Sequence, residues 1–180
     1  MTQHEYVFVA ISIILGLAIT RLLHNVATLI RAFSRVNFHP ATAVWGLCVM
    51  IYCLQLWWVG WGLRSIETWS FADFAVLIAG SIFLYGAAEM ALPVPGESRE
   101  LNFLNHSQGL GRLSSLSMLL YFLVGPYVNI KLFAVEVLPA LVIPAIGAII
   151  LLLMITVPRA YRWLSLVFTL YTGLVLTVTI

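Results

Sequence analysis

The chain has 180 residues, of which 62% are apolar and 9% charged, with a formal net charge of +2. Soluble domains carry about 25% charge, and a small fold leaves much of its surface exposed. This composition therefore excludes a water-soluble globule, a disordered chain, a disulfide-stapled secreted domain and a nucleic-acid binder, and the solvent that fits it is a lipid bilayer.

A helix needs about 20 mostly apolar residues to cross the hydrocarbon core. Six runs meet that requirement, at residues 5–33, 40–63, 71–92, 109–127, 134–157 and 159–180. The first is too long and apolar for a cleavable signal peptide, and no basic residue precedes it. Pro40 suits the first helical position of the second. Ser70, followed by Asp73, predicts a capping box at the start of the third. Pro93, Pro95 and Gly96 end the third run. The stretch 98–108 has helical character and is expected to be a cytoplasmic helical extension of the fourth. Pro139 and Pro144 bend the fifth. The sixth has threonines and no charge after Arg162, and is expected at the periphery. None of the runs alternates apolar with polar residues, which excludes a β-barrel. The short linkers predict antiparallel neighbours. The fold class is therefore all-α: one polytopic membrane domain over 1–180, a bundle of six transmembrane helices.

Six basic residues follow the odd-numbered spans: Arg31, Arg35, Arg99, Arg112, Arg159 and Arg162. Arg64 and Lys131 are the two on the other side. This imbalance predicts cytoplasmic odd loops and both termini outside the cytoplasm, in a membrane of the bacterial inner type. Trp57, Trp58, Trp61 and Trp69 form an interfacial belt at the outer end, and Tyr161 and Trp163 are expected to do so at the inner one.

The first span carries the strongest functional signal. At about 100° per residue, Arg21, His24, Asn25, Thr28, Arg31 and Arg35 share one face. Arg21 lies about 15 Å from Arg31 along a helix, which predicts a depth near mid-membrane, where a lone charge is costly. Ser12, Gly16 and Thr20 on the opposite face predict close helix approach. With both faces used, this span is expected at the centre of the bundle.

The expected partner of Arg21 is Glu89, which shares a face with Tyr85 and Ser81 on the third span. Arg21, His24, Asn25, Thr28, Tyr85 and Glu89 are thus the candidate ligand or ion pathway, a polar vestibule facing the cytoplasm. No catalytic residue, cofactor or metal is expected. His4, His24, His39 and His106 lack metal-motif spacing, and Cys48 and Cys53 form no C-x-x-C pair. Three functions follow, in order. The first is a non-enzymatic structural or accessory subunit of a membrane assembly, its partners the lipid bilayer and itself or another membrane protein. The second is a small oligomeric channel or transporter using that vestibule. The third is an intramembrane metal- or haem-dependent enzyme using His24, His106 and Glu89.

Overall fold

The computed structural model of the chain describes residues 2–66, 68–94 and 101–179. Helix α1 (Gln3–Arg31) starts at a reciprocal cap. The Thr2 hydroxyl accepts the Glu5 N–H at 3.2 Å, and the Glu5 carboxylate accepts the Thr2 N–H at 2.8 Å. Its buried residues form one stripe at three- and four-residue spacing: Val7, Ile11, Leu15, Ala18, Leu22, Asn25 and Leu29. Tyr6, Val9, Ile13, Leu17 and Ile30 look outward. One buried stripe makes an edge helix, so the expected central position is corrected. The Ser12–Gly16–Thr20 face finds no neighbour at its middle, since a Cβ added at Gly16 would meet nothing within 4 Å.

After a short 3-10 turn, β1 (Val36–Asn37) leads into α2 (Pro40–Gly62). The His39 ring nitrogen Nδ1 accepts the Ala41 N–H at 3.2 Å, and Pro40 has no N–H to satisfy. Helix α3 (Phe71–Ala91) begins at the expected Ser70–Asp73 capping box. Beyond it, β2 (Leu101–Asn102) pairs in parallel with β1. Then come α4 (Phe103–Gln108) and α5 (Leu110–Tyr127). The extension expected over 98–108 is thus helical only from Phe103. Residues 101–102 are captured by β1, and residues 98–100 lie outside the described residues. Gly109, at φ −103° and ψ −102°, separates α4 from α5.

Pro126 near the end of α5 is followed by a wide π-helical turn, Val128–Leu132, and by Ala134 at φ 52°. Helix α6 (Val137–Thr156) contains Pro144, and α7 (Tyr161–Thr179) completes the bundle. Among the described residues, six helical segments are long and apolar enough to cross a membrane: α1, α2, α3, α5, α6 and α7. The chain is an integral membrane protein with an all-α fold.

The packing runs from α1 onto α3 and α2, from α3 onto α5, from α5 onto α6, from α6 onto α7, and from α7 back onto α2. Helices α2 and α3 also touch across this ring. In lipid, helices associate through close packing and interhelical hydrogen bonds rather than through the hydrophobic effect. The α3–α5 contact has both. The Ser117 hydroxyl donates to the Phe83 carbonyl at 2.7 Å beside Gly86. The Ser114 hydroxyl donates to the Ala87 carbonyl at 2.7 Å and accepts the Trp45 indole N–H at 2.9 Å, which ties α2 to both helices. Such bonds contribute about 0.6 kcal/mol each on average.

The core is aromatic. Trp45, Tyr52, Phe122, Phe168 and Tyr171 stack with neighbouring centroids 5.2–5.9 Å apart. Phe122 fits because α6 has Gly147 there, where a Cβ would overlap the ring. The sixth span, expected to be peripheral, thus sends Phe168 into the centre. Tyr161, expected at the interface with Trp163, is also buried, while Trp163 is exposed. Cys48 and Cys53 are buried free thiols.

Candidate functional site

The N-terminal end of α1 is pinned to the tryptophan-rich end of the bundle. The His4 ring nitrogen Nε2 bonds to the Gly60 carbonyl at 3.0 Å, and the Trp69 N–H donates to the Gln3 side chain at 3.1 Å. Gln3 is therefore level with the start of α3. Arg21 lies eighteen residues beyond Gln3, and Glu89 eighteen residues beyond Phe71. Each is about 27 Å along its helix at 1.5 Å per residue. The two meet there: Arg21 Nη2 donates to Glu89 Oε1 at 2.6 Å.

A hydrocarbon core is about 30 Å thick. Helix α1 is 29 residues long, or about 43 Å, which exceeds that thickness by between two and three helical turns. The pair lies toward the end of the bundle rich in arginine, and His24, Asn25, Thr28 and Arg31 lie beyond it along α1.

The six candidate residues do not converge. Arg21 and Glu89 are joined, but their side chains remain 41% and 35% exposed on the flank between α1 and α3. Tyr85, one turn before Glu89, is partly exposed beside them. Asn25 lies on the buried stripe, with neither its amide nitrogen nor its oxygen bonded to protein. Arg21 Nε and Glu89 Oε2 are likewise buried without a partner. His24 is exposed, and its carbonyl accepts the Thr28 hydroxyl at 2.8 Å. The polar stripe is thus divided between an ion pair, a buried amide and an outward face. Four cavities of the bundle, of about 220–740 Å³, are lined by other residues.

The other histidines also have separate tasks. His39 caps α2, and His4 pins α1. His106 on α4 bonds through Nε2 to the Met90 carbonyl at 3.0 Å. A carbonyl only accepts, so Nε2 carries the proton. Burial holds this imidazole below its ordinary range, against a smaller opposing effect of the Met90 bond. Among the described residues, no three His, Cys, Asp or Glu side chains come together as a metal site would need.

A second charged cluster, at the tryptophan-rich end, was not signalled by the sequence beyond its cap. Asp73 is buried, yet its carboxylate is fully engaged. Oδ2 accepts the Ser70 N–H at 2.8 Å and the Ser70 hydroxyl at 2.5 Å. Oδ1 accepts the Tyr127 hydroxyl at 2.8 Å and lies 3.2 Å from Lys131 Nζ. The start of α3 is thereby tied to the end of α5. The four-residue spacing of Tyr127 and Lys131 is its only trace in the sequence. At the same end Arg64 stacks over Trp61 at 4.4 Å. This belt suits a membrane interface.

No family model matches the chain, and neither a curated protein nor a solved structure does.

Proposed function

We propose that this protein is a non-enzymatic structural or accessory subunit of a membrane assembly, and that the outward face of α1 receives a transmembrane helix of its partner. The observation that carries this reading is the position of Gly16. Small residues at four-residue spacing allow two helix backbones to approach closely in lipid. Here Gly16 and Thr20 lie on the outward side of an edge helix, with the Ser12 hydroxyl buried, and among the described residues nothing occupies the space that a side chain at Gly16 would enter. The stripe therefore does not serve the packing of its own bundle at that point. The half-exposed Arg21–Glu89 pair on the flank of the same helix adds a polar contact for a neighbour.

Gly16→Leu tests this. The added side chain has open space, so the isolated bundle is expected to keep its thermal stability. Purification from native membranes should yield a stoichiometric companion chain with the unaltered protein and lose it with Gly16→Leu. Retention of the same companion by the variant, or its absence from both, counts against the reading.

The basic end is proposed to face the cytoplasm, on the imbalance of Arg31, Arg35, Arg112, Arg159 and Arg162 over Arg64 and Lys131. Single cysteines at Ser34 and Ser65 lie at opposite ends of the bundle. An impermeant thiol reagent applied to intact cells should label the second and spare the first. The reverse pattern inverts the assignment.

A further inference from the structure

The bundle contains a cavity of about 630 Å³ between α2, α5, α6 and α7. Its floor is formed by Tyr52, Phe122 and Ile143, and its mouth by Trp61, Asn129 and Phe133. From Tyr52 to the end of α2 at Gly62 is ten residues, or about 15 Å, which is half of a 30 Å hydrocarbon core. The cavity is therefore a slot one leaflet deep that opens at the tryptophan-rich interface.

Irregular backbone holds it open. At membrane depth, backbone that departs from a regular helix is tolerated where it is buried in protein or lines a cavity. Val128 and Asn129 of the π-helical turn and the prolines 139 and 144 of α6 line this space, and Pro126 and the left-handed Ala134 are chain neighbours of the lining residues Gly125, Phe133 and Val135. Gly125 reaches Pro144 across α5 and α6, with an added Cβ 3.5 Å from the ring. On the outer side of α2, an apolar groove of about 740 Å³ runs over Leu54, Trp57 and Leu176. Gln55, Trp58 and Trp61 line both spaces, so the groove adjoins the cavity and offers a path from the bilayer.

The lining selects the occupant. Among the described residues it contains no Asp, Glu, Lys, Arg or His. Its carboxamide and phenol side chains are Asn129 at the mouth, and Gln55 and the tyrosines deeper in. An ionised headgroup would lose hydration there without a counter-charge. A hydroxyl or ester can bond to the Asn129 carboxamide at the mouth while an apolar chain runs along the aromatic walls past Gln55. The volume is within the usual range for a small-molecule site.

We infer that this cavity is a binding site for one uncharged single-chain amphiphile with a hydroxyl head, of the monoacylglycerol type, which enters sideways from the leaflet at the tryptophan-rich end. This does not depend on the role proposed for α1.

The test is equilibrium binding of tritiated monooleoylglycerol to the whole protein in nanodiscs, against empty nanodiscs. Saturable uptake of one molecule per chain is expected. Lysophosphatidylglycerol with the same oleoyl chain should compete at least about tenfold more weakly, a difference of about 1.4 kcal/mol. Ala140→Phe, which projects a ring into the cavity, should weaken binding by at least about the same factor. Gly125→Leu provides a second obstruction if Ala140→Phe lowers the helix content or melting temperature. The headgroup comparison needs no variant. Uptake that does not saturate above empty nanodiscs overturns the inference. So does equal competition by the anionic lipid, or affinity unchanged in the folded obstructed variants.

Discussion

Arg21 and Glu89, 68 residues apart in the chain, meet at 2.6 Å because each stands eighteen residues from the same end of the bundle. Equal helix rise converts equal residue counts into equal depth. The pair marks where the apolar part of α1 gives way to its polar end, and it joins α1 to α3 on an open flank. The expected consequence is coupling. Arg21→Met and Glu89→Gln should each destabilise the bundle, and the double variant should lose less than the sum of the two, since removing one partner strands the other charge. Strict additivity in a thermal or denaturant cycle would show that the two do not interact. Raising the salt concentration should shrink the coupling, because both side chains are partly exposed.

At the opposite end, Asp73 and Lys131 are unequal partners. Asp73 is buried and also bonds to Ser70 and Tyr127, whereas Lys131 is half-exposed. Asp73→Ala removes the reciprocal cap of α3 along with the tie to α5. It should cost about 1–2 kcal/mol, the range of a strong helix cap. Lys131→Met should cost less, because exposed ion pairs contribute little. A Lys131 variant as damaging as the Asp73 one, measured by the melting temperature of the purified protein, contradicts this ranking.

Composition and run length made six spans legible, since apolar stretches of this length have no other stable use. The Ser70–Asp73 cap was legible because both of its residues are local. Matched depth pointed from Arg21 to Glu89. The edge position of α1 was hidden, because a polar stripe on a helix reads alike whether it faces protein or headgroups. Only the contacts of His4 and Gln3 with Gly60 and Trp69 fix the register of α1 against the bundle. The Asp73–Tyr127–Lys131 cluster depends on the register of α3 against α5, which no local pattern records. The β1–β2 pairing was hidden too, as two residues per strand leave no periodicity.

His106 gives the short helix α4 a pH dependence of known sign. Burial depresses its pKa below the ordinary value of 6.5, so docked α4 binds fewer protons than undocked α4. Docking is at full strength above pH 6.5 and is lost as the pH falls from there toward the depressed value. Hydrogen exchange of the Phe103–Gln108 amides, corrected for intrinsic rates, should show protection declining on acidification. His106→Gln keeps a donor for the Met90 carbonyl without titrating, and should flatten the dependence. An unchanged decline in that variant would assign the effect to another group.

The most direct test of the account is site-specific photocrosslinking along α1 in native membranes. A photoreactive side chain placed singly at Ile13, Gly16 and Thr20 samples the outward face, and one at Leu15 and Leu22 samples the buried stripe. The account predicts adducts to a second polypeptide at 13, 16 and 20, identified by mass spectrometry as another copy or a different chain, and crosslinks within the bundle at 15 and 22. Lipid adducts alone at 13, 16 and 20 would contradict it and leave α1 as an edge helix that faces the bilayer.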